Sequence, residues 1–136
     1  MTRHADIIDA IASWIKCDYN AFNHVDVSDY LSSEHPTLYR GCAQPIADVV
    51  TLPHVGLSFS DEKLIAEDFR AAFDKGCTLT LAQNSARVLN IRLIIDRLID
   101  DGYEDIPSVI FDYAHEHEYI VMSKHFKVTN NIISIL

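Results

Sequence analysis

In VGLSFSDEKLIAEDFRAAFDKG, residues 55–76, the spacing of apolar side chains changes period at Ser60. Before that serine, VGLSFS reads as a short strand. After it, Leu64, Ile65, Phe69 and Phe73 recur at helical spacing, which predicts one buried stripe. Ser60 suits the helix N-cap, because its hydroxyl oxygen can accept a first-turn N–H, and Asp61 and Glu62 complement the positive helix start. Gly76 is expected to end the helix. A strand that feeds a helix points to a mixed fold.

The flanking chain extends this pattern. Ile7, Ile8, Ile11, Trp14 and Ile15 form a helical stripe through about residue 19, and DVSDYLSS reads as a second short helix. Pro36 breaks that pattern, after which TLYRGCA reads as a strand running into a turn. CTLTLAQ alternates like a strand, and ARVLNIRLIIDRLIDDGY reads as a strand passing into a helix that stops at Gly102. The apolar run from Val88 to Ile99 is long enough to cap a sheet or form a dimer face. EYIVM and HFKVTNNIISIL read as further strands. Strands interleaved with helices, then hairpin-like strands, predict an α+β fold with N-terminal helices on a mostly antiparallel sheet. At 136 residues, one domain is expected over 1–136, with a helical segment at 1–36 and a core at 37–136.

Charge and cysteine usage narrow the functional classes. A net charge of −9 weighs against direct nucleic-acid binding, which needs clustered Lys and Arg to displace counterions. It favours a basic partner. Cys17, Cys42 and Cys77 are odd in number and contain no CxxC pair, which fits reduced thiols in a cytoplasmic protein better than a disulfide framework. Asp6 and Asp9 interrupt the N-terminal apolar stretch, so it reads as neither a signal peptide nor a membrane span.

DYAHEHEYIVM, residues 112–122, places two glutamates two positions apart just before an apolar run. On a strand, Glu116 and Glu118 share one face, and His115, His117 and Tyr119 take the other. Two carboxylates would then sit together at the start of the strand.

Three islands, LYRG, GLSFSDEKLIAEDF and YAHEHEYIVMSKHFKV, stand in the order and rough spacing of the arginine, serine and glutamate motifs of the ADP-ribosyltransferase family. The chain resembles the cholera-toxin-like branch of that family over residues 38–128. The matching positions are Arg40, then Ser58 to Ser60 with Ala66 and Phe69, then Glu116 and Glu118. The resemblance implies a split β-sheet core and mono-ADP-ribosyl transfer. NAD would be cleaved at its nicotinamide–ribose bond and ADP-ribose passed to a protein acceptor, with arginine the expected residue.

The resemblance also assigns roles. Glu118 would stabilise the oxocarbenium-like transition state, much as a carboxylate does in glycoside hydrolysis, and Ser58 would orient it. Arg40 would meet the pyrophosphate with a planar fork of donors, and Gly41 would let the backbone approach the nicotinamide amide. Glu116 would activate the incoming guanidinium, and Tyr113 would contact the protein substrate. Phe59 stands where the family places a threonine and would add an aromatic wall. Asn84 and Arg87 are candidates for the phosphate-contacting loop. The short chain has no evident delivery domain, which suggests a phage or toxin effector made in the cytoplasm it acts upon.

Other readings compete. Arg40 in a YRG turn could be a surface ion-pair residue, and the glutamates could lie on an exposed strand face. His115, His117 and His125 could hold zinc. An acidic inhibitor or interaction module would bind a basic surface without NAD.

Overall fold

Helix α1 spans His4–Ile15 and buries Ile7, Ile8, Ala10, Ile11 and Trp14, the stripe that the sequence spacing requires. The computed structural model describes residues 3–44, 46–73, 75–82, 87–114 and 117–136, with the side chains of residues 113 and 114 also left aside. The segment expected as a second helix is a 3₁₀ turn at Ser28–Tyr30, which passes straight into strand β1, Leu31–Ser32. Asp26 caps that turn, accepting from the backbone N–H and the hydroxyl of Ser28.

Eight more strands and three helices follow. They are β2 (Tyr39–Cys42), β3 (Val49–Thr51), β4 (Leu57–Ser60), α2 (Lys63–Ala71), β5 (Cys77–Leu81) and β6 (Val88–Asn90). Then come α3 (Ile91–Asp100), α4 (Ser108–Ala114), β7 (Glu118–Val121), β8 (His125–Thr129) and β9 (Ile132–Ile135). The strand-to-helix junction foreseen near residue 90 has a local cause. Asn90 caps α3 by accepting the Leu93 N–H at 3.2 Å, and Gly102 ends the following turn at a φ of 81° that few other residues adopt.

The described strands form one sheet in the order β1-β6-β7-β4-β2-β5-β9-β8-β3, antiparallel except where β5 meets β9. One junction is much weaker than the rest. β4 pairs with β7 over four residues and β2 with β5 over four, yet β2 and β4 share only the Tyr39–Ser60 pair. The sheet is therefore nearly two half-sheets, β1-β6-β7-β4 and β2-β5-β9-β8-β3.

Two clusters of buried side chains follow from this division. The first joins α1, α3 and α4 to one face of the first half-sheet, through Leu89 and Ile120. The second lies between the halves, where Phe59, Val88, Tyr119 and Val121 of the first meet Leu79, Leu81, Phe126 and Ile133 of the second. Strands of the first half are thus apolar on both faces, which explains the unbroken run EYIVM. The Val88–Ile99 segment caps the sheet: Ile94, Ile95 and Leu98 of α3 are buried, whereas Leu93 and Ile99 face out.

Helix α2 departs from its expected packing. It is also shorter than foreseen, ending at Ala71 before Phe73 and the expected stop at Gly76; Leu64, Ile65, Phe69 and Phe73 are all exposed, Leu64 by 67%, and Ala66 is its buried residue. The reason lies in Gly41. A Cβ at Gly41 would stand 2.1 Å from the Ala66 carbonyl oxygen and 3.2 Å from the Arg70 nitrogen, so the helix backbone rests directly on the strand. Contact that close uses the Ala66 face and turns the large side chains away. Among the described residues, no helix is long and apolar enough to cross a membrane.

Candidate active site

β2 and β4 diverge from pairing after Tyr39 and Ser60, and the gap becomes a cavity. Arg40 and Gly41 line it from β2, Ser58, Phe59 and Ser60 from β4, and Glu118 from the first position of β7. Ile65, Ala66 and Phe69 of α2 close one side. Register explains the carboxylate's position: Glu118 pairs directly with Ser60, so it shares a sheet face with Ser60 and with Ser58 two residues earlier. The three residues singled out from separate islands, Arg40, Ser58 and Glu118, thus line one space.

Hydrogen bonds hold the serine strand on both sides. An Arg40 guanidinium N–H donates to the Ser58 carbonyl at 2.9 Å, and the Trp14 indole N–H donates to the Ser58 hydroxyl at 3.2 Å. Ser60, 6% exposed, accepts the Glu62 N–H at 3.1 Å. It therefore caps the turn before α2, and Glu62 occupies the N-cap position itself.

The cavity has a volume of about 160 Å³, below the range of roughly 300–1,000 Å³ common for pockets that enclose organic ligands. Its neighbour enlarges it. A second cavity of about 400 Å³ shares Arg40, Ser58 and Phe69 and is walled by Trp14, Tyr19 and His54. Tyr19 stacks on His54 at 5.5 Å, and Trp14 meets both rings edge-on. Sequence reasoning missed Trp14 and Tyr19 as cavity walls because it set residues 1–36 outside the core, and His54 because no local pattern ties it to them. The signal available was Trp14 itself, whose indole N–H needs a partner when the ring is buried.

Glu118 also lines a smaller cavity on its other side, about 140 Å³, with Asp61, Asn90, Arg92, Asp96 and His117. There the Tyr119 hydroxyl donates to Asp61 Oδ2 at 3.2 Å. Burial, reinforced by the Asp61 charge, pushes the Tyr119 phenol up to about 12, so it stays a donor. On the far side of β2, Cys42 pairs with Cys77, and burial pushes the Cys42 thiol up to about 11 against the opposing pull of Arg40.

Other expected site residues either serve mainly the core and the helix contact or lie away from the cavity. Phe59 is 2% exposed and belongs mainly to the core between the half-sheets. Gly41 lines the cavity, but its missing Cβ is needed for α2. Arg87 is not among the cavity residues. Its carbonyl accepts the Met122 N–H beyond the opposite end of β7, four residues or roughly 13 Å along the strand from Glu118. Glu116 and Asn84 lie outside the described residues, as does the side chain of Tyr113, whose backbone is in α4. The strand expected to carry Glu116 and His117 begins only at Glu118, since His117 has a φ of 57°. The proposed histidine trio is not assembled: His115 lies outside the described residues, and His125 sits on β8 opposite Thr51, beyond the far end of β7 from His117.

No protein-family model matches the chain, and no curated protein matches it. Among solved structures, it is similar to ADP-ribosyltransferase Vis in complex with the M6 inhibitor. The two are 16% identical with a TM-score of 0.49, over 97% of this chain and 69% of that one.

Proposed function

We propose that the chain is a mono-ADP-ribosyltransferase that uses NAD and modifies a protein, with arginine as the acceptor residue. The observation that carries this proposal is the meeting of Arg40, Ser58 and Glu118 in one cavity, from three strands distant in sequence. A cation, a hydroxyl and a carboxylate at the margin of a split sheet suit an anionic dinucleotide whose glycosidic bond must break.

In this reaction the bond between ribose C1′ and the nicotinamide nitrogen breaks, and nicotinamide departs with the electron pair. Positive charge grows on the ribose, where the Glu118 carboxylate opposes it. Arg40 offers the pyrophosphate the donors not engaged by the Ser58 carbonyl. The neighbouring aromatic cavity gives the remainder of the dinucleotide a place to lie. An acceptor guanidine nitrogen then bonds to C1′ and gives up a proton, for which Glu116 is the proposed base.

Incubation with NAD labelled in its adenylate half and a cell lysate, followed by mapping of the labelled residue, tests the proposal. Label on arginine is the expected result. In parallel, Glu118→Gln should retain NAD binding and thermal stability while cleavage falls about 10²-fold or more, a loss of roughly 3 kcal/mol in transition-state stabilisation. Cleavage within a few-fold of the parent would remove Glu118 from the reaction. Failure of the parent to cleave NAD or label any acceptor would overturn the transferase assignment.

A further inference from the structure

Asp61, Glu62 and His117 place three ligand atoms within 4.8 Å of one another beside Glu118, at the edge of the smaller cavity. We propose that they form a binding site for a divalent transition-metal ion, with zinc as its representative. The site does not depend on the transferase activity, since it needs neither NAD nor an acceptor.

The contact between Asp61 and His117 carries the inference. His117 Nδ1 lies 2.9 Å from Asp61 Oδ1, yet that oxygen is fully buried and accepts no hydrogen bond. The ring nitrogen and the oxygen approach each other without the alignment that an N–H donor would impose. Two ligands held tetrahedrally by one zinc ion at about 2.1 Å are themselves about 3.4 Å apart, so these two atoms need separate by only about 0.5 Å to admit the ion. While the His117 ring is neutral, the arrangement buries a carboxylate oxygen with no aligned donor, a costly state that a metal would relieve.

The surroundings favour a cation as well. Tyr119 donates to the other Asp61 oxygen, Oδ2, which fixes the carboxylate and leaves Oδ1 for the ion. Glu62, exposed at the start of α2, supplies a further carboxylate without a desolvation cost. Asp96 and Glu118 add negative charge to the cavity, where Arg92 is the opposing cation. His117 has a left-handed backbone φ of 57°, and its carbonyl accepts the Asp61 N–H at 3.4 Å, so the two ligand-bearing segments are tied together.

One imidazole nitrogen and two carboxylate oxygens suit zinc better than magnesium, which keeps its water and prefers all-oxygen sites. Three protein ligands leave a position open to water or to an oxygen of a molecule in the cavity.

Calorimetric titration of tag-free, chelator-treated protein with zinc chloride tests the proposal, beside magnesium chloride and the variants His117→Gln and Glu62→Gln. One zinc per chain is expected, at least about tenfold weaker in each variant, with magnesium weaker still. Zinc should raise the unfolding temperature of the parent more than that of either variant. Glu62 is exposed, so its variant keeps the comparison sound even where His117→Gln folds poorly. Absence of zinc binding would overturn the site. So would equal affinity in parent and Glu62→Gln, or in parent and a folded His117→Gln, because zinc would then be held elsewhere, for instance by thiols.

Discussion

Arg40 reaches across the place where β2 and β4 stop pairing and donates to the Ser58 carbonyl at 2.9 Å. The guanidinium takes an acceptor that a continued strand ladder would have used, so a single side chain bridges the gap and faces the cavity. A fully buried carbonyl without a donor costs about 1–3 kcal/mol, and this part-buried one less, which still gives Arg40 a structural duty in addition to the proposed binding one.

Arg40→Lys should therefore keep the charge and lose the ability to serve both partners. The NAD dissociation constant is expected to rise about tenfold, equivalent to about 1.4 kcal/mol, because an ammonium is a point charge without the planar fork. Equilibrium binding measures this directly. Unchanged affinity in a folded variant would separate Arg40 from the dinucleotide.

Trp14→Phe tests the link between the N-terminal helix and the serine strand. It retains most of the apolar ring and removes the indole N–H that meets the Ser58 hydroxyl at 3.2 Å. Stability should fall by about 1–2 kcal/mol from the lost hydrogen bond and smaller ring, and NAD cleavage should fall several-fold more than stability alone explains. Activity per folded molecule, with unfolding followed in parallel, distinguishes the two effects. Unaltered specific activity would leave Trp14 a core residue only.

Gly41→Ala should be damaging despite adding one methyl group. The new Cβ meets the Ala66 carbonyl at 2.1 Å, and backbone cannot move aside as a flexible side chain would. A loss of about 1–3 kcal/mol is expected, read as a lower denaturant midpoint. Helix α2 must also lift from β2, so the cavity wall formed by Ile65 and Phe69 should shift and NAD binding should weaken. A variant as stable as the parent would contradict the close strand–helix contact.

Alkaline pH should expose the buried thiol. Burial raises Cys42 from 9.0 to about 11, so between those values the unfolded chain releases a proton that the folded chain keeps. With more protons on the native state, stability falls as pH rises through that window, by up to about 1.4 kcal/mol per pH unit. Below pH 9 the contribution is complete and constant. Cys42→Ala should flatten this part of the profile, and identical slopes in parent and variant between pH 9 and 10 would refute the assignment.

Elements whose period reflects a single partner were legible in the sequence. The α1 stripe, the passage from strand to helix before α3 and the Gly102 stop all depend on local spacing and local hydrogen bonds, although the Asn90 cap itself was not foreseen. Helix α2 was misread because spacing identifies an apolar face but not which face the neighbour will take. Gly41 made the Ala66 side the closer fit. Arg40, Ser58 and Glu118 were singled out through ordered motifs, and strand register brings them to the lining of one cavity. Tyr19, His54 and the Asp61–His117 contact were not foreseen, since each joins segments whose pairing no local pattern encodes.

Strand order also has a temporal consequence. β2, which carries Arg40, lies between β4 and β5, but the outer neighbours of those strands are β7 and β9. Both come late from the ribosome. A nascent chain that has reached α4 lacks Glu118, and its β4 and β5 end in open edges with unpaired backbone groups. Pairing of β9 with β5 closes a loop long in sequence, the slow kind of step in folding. The emerging polypeptide therefore has no completed Arg40–Ser58–Glu118 cavity to expose, and the cell that makes it meets the closed sheet only after synthesis has passed β9.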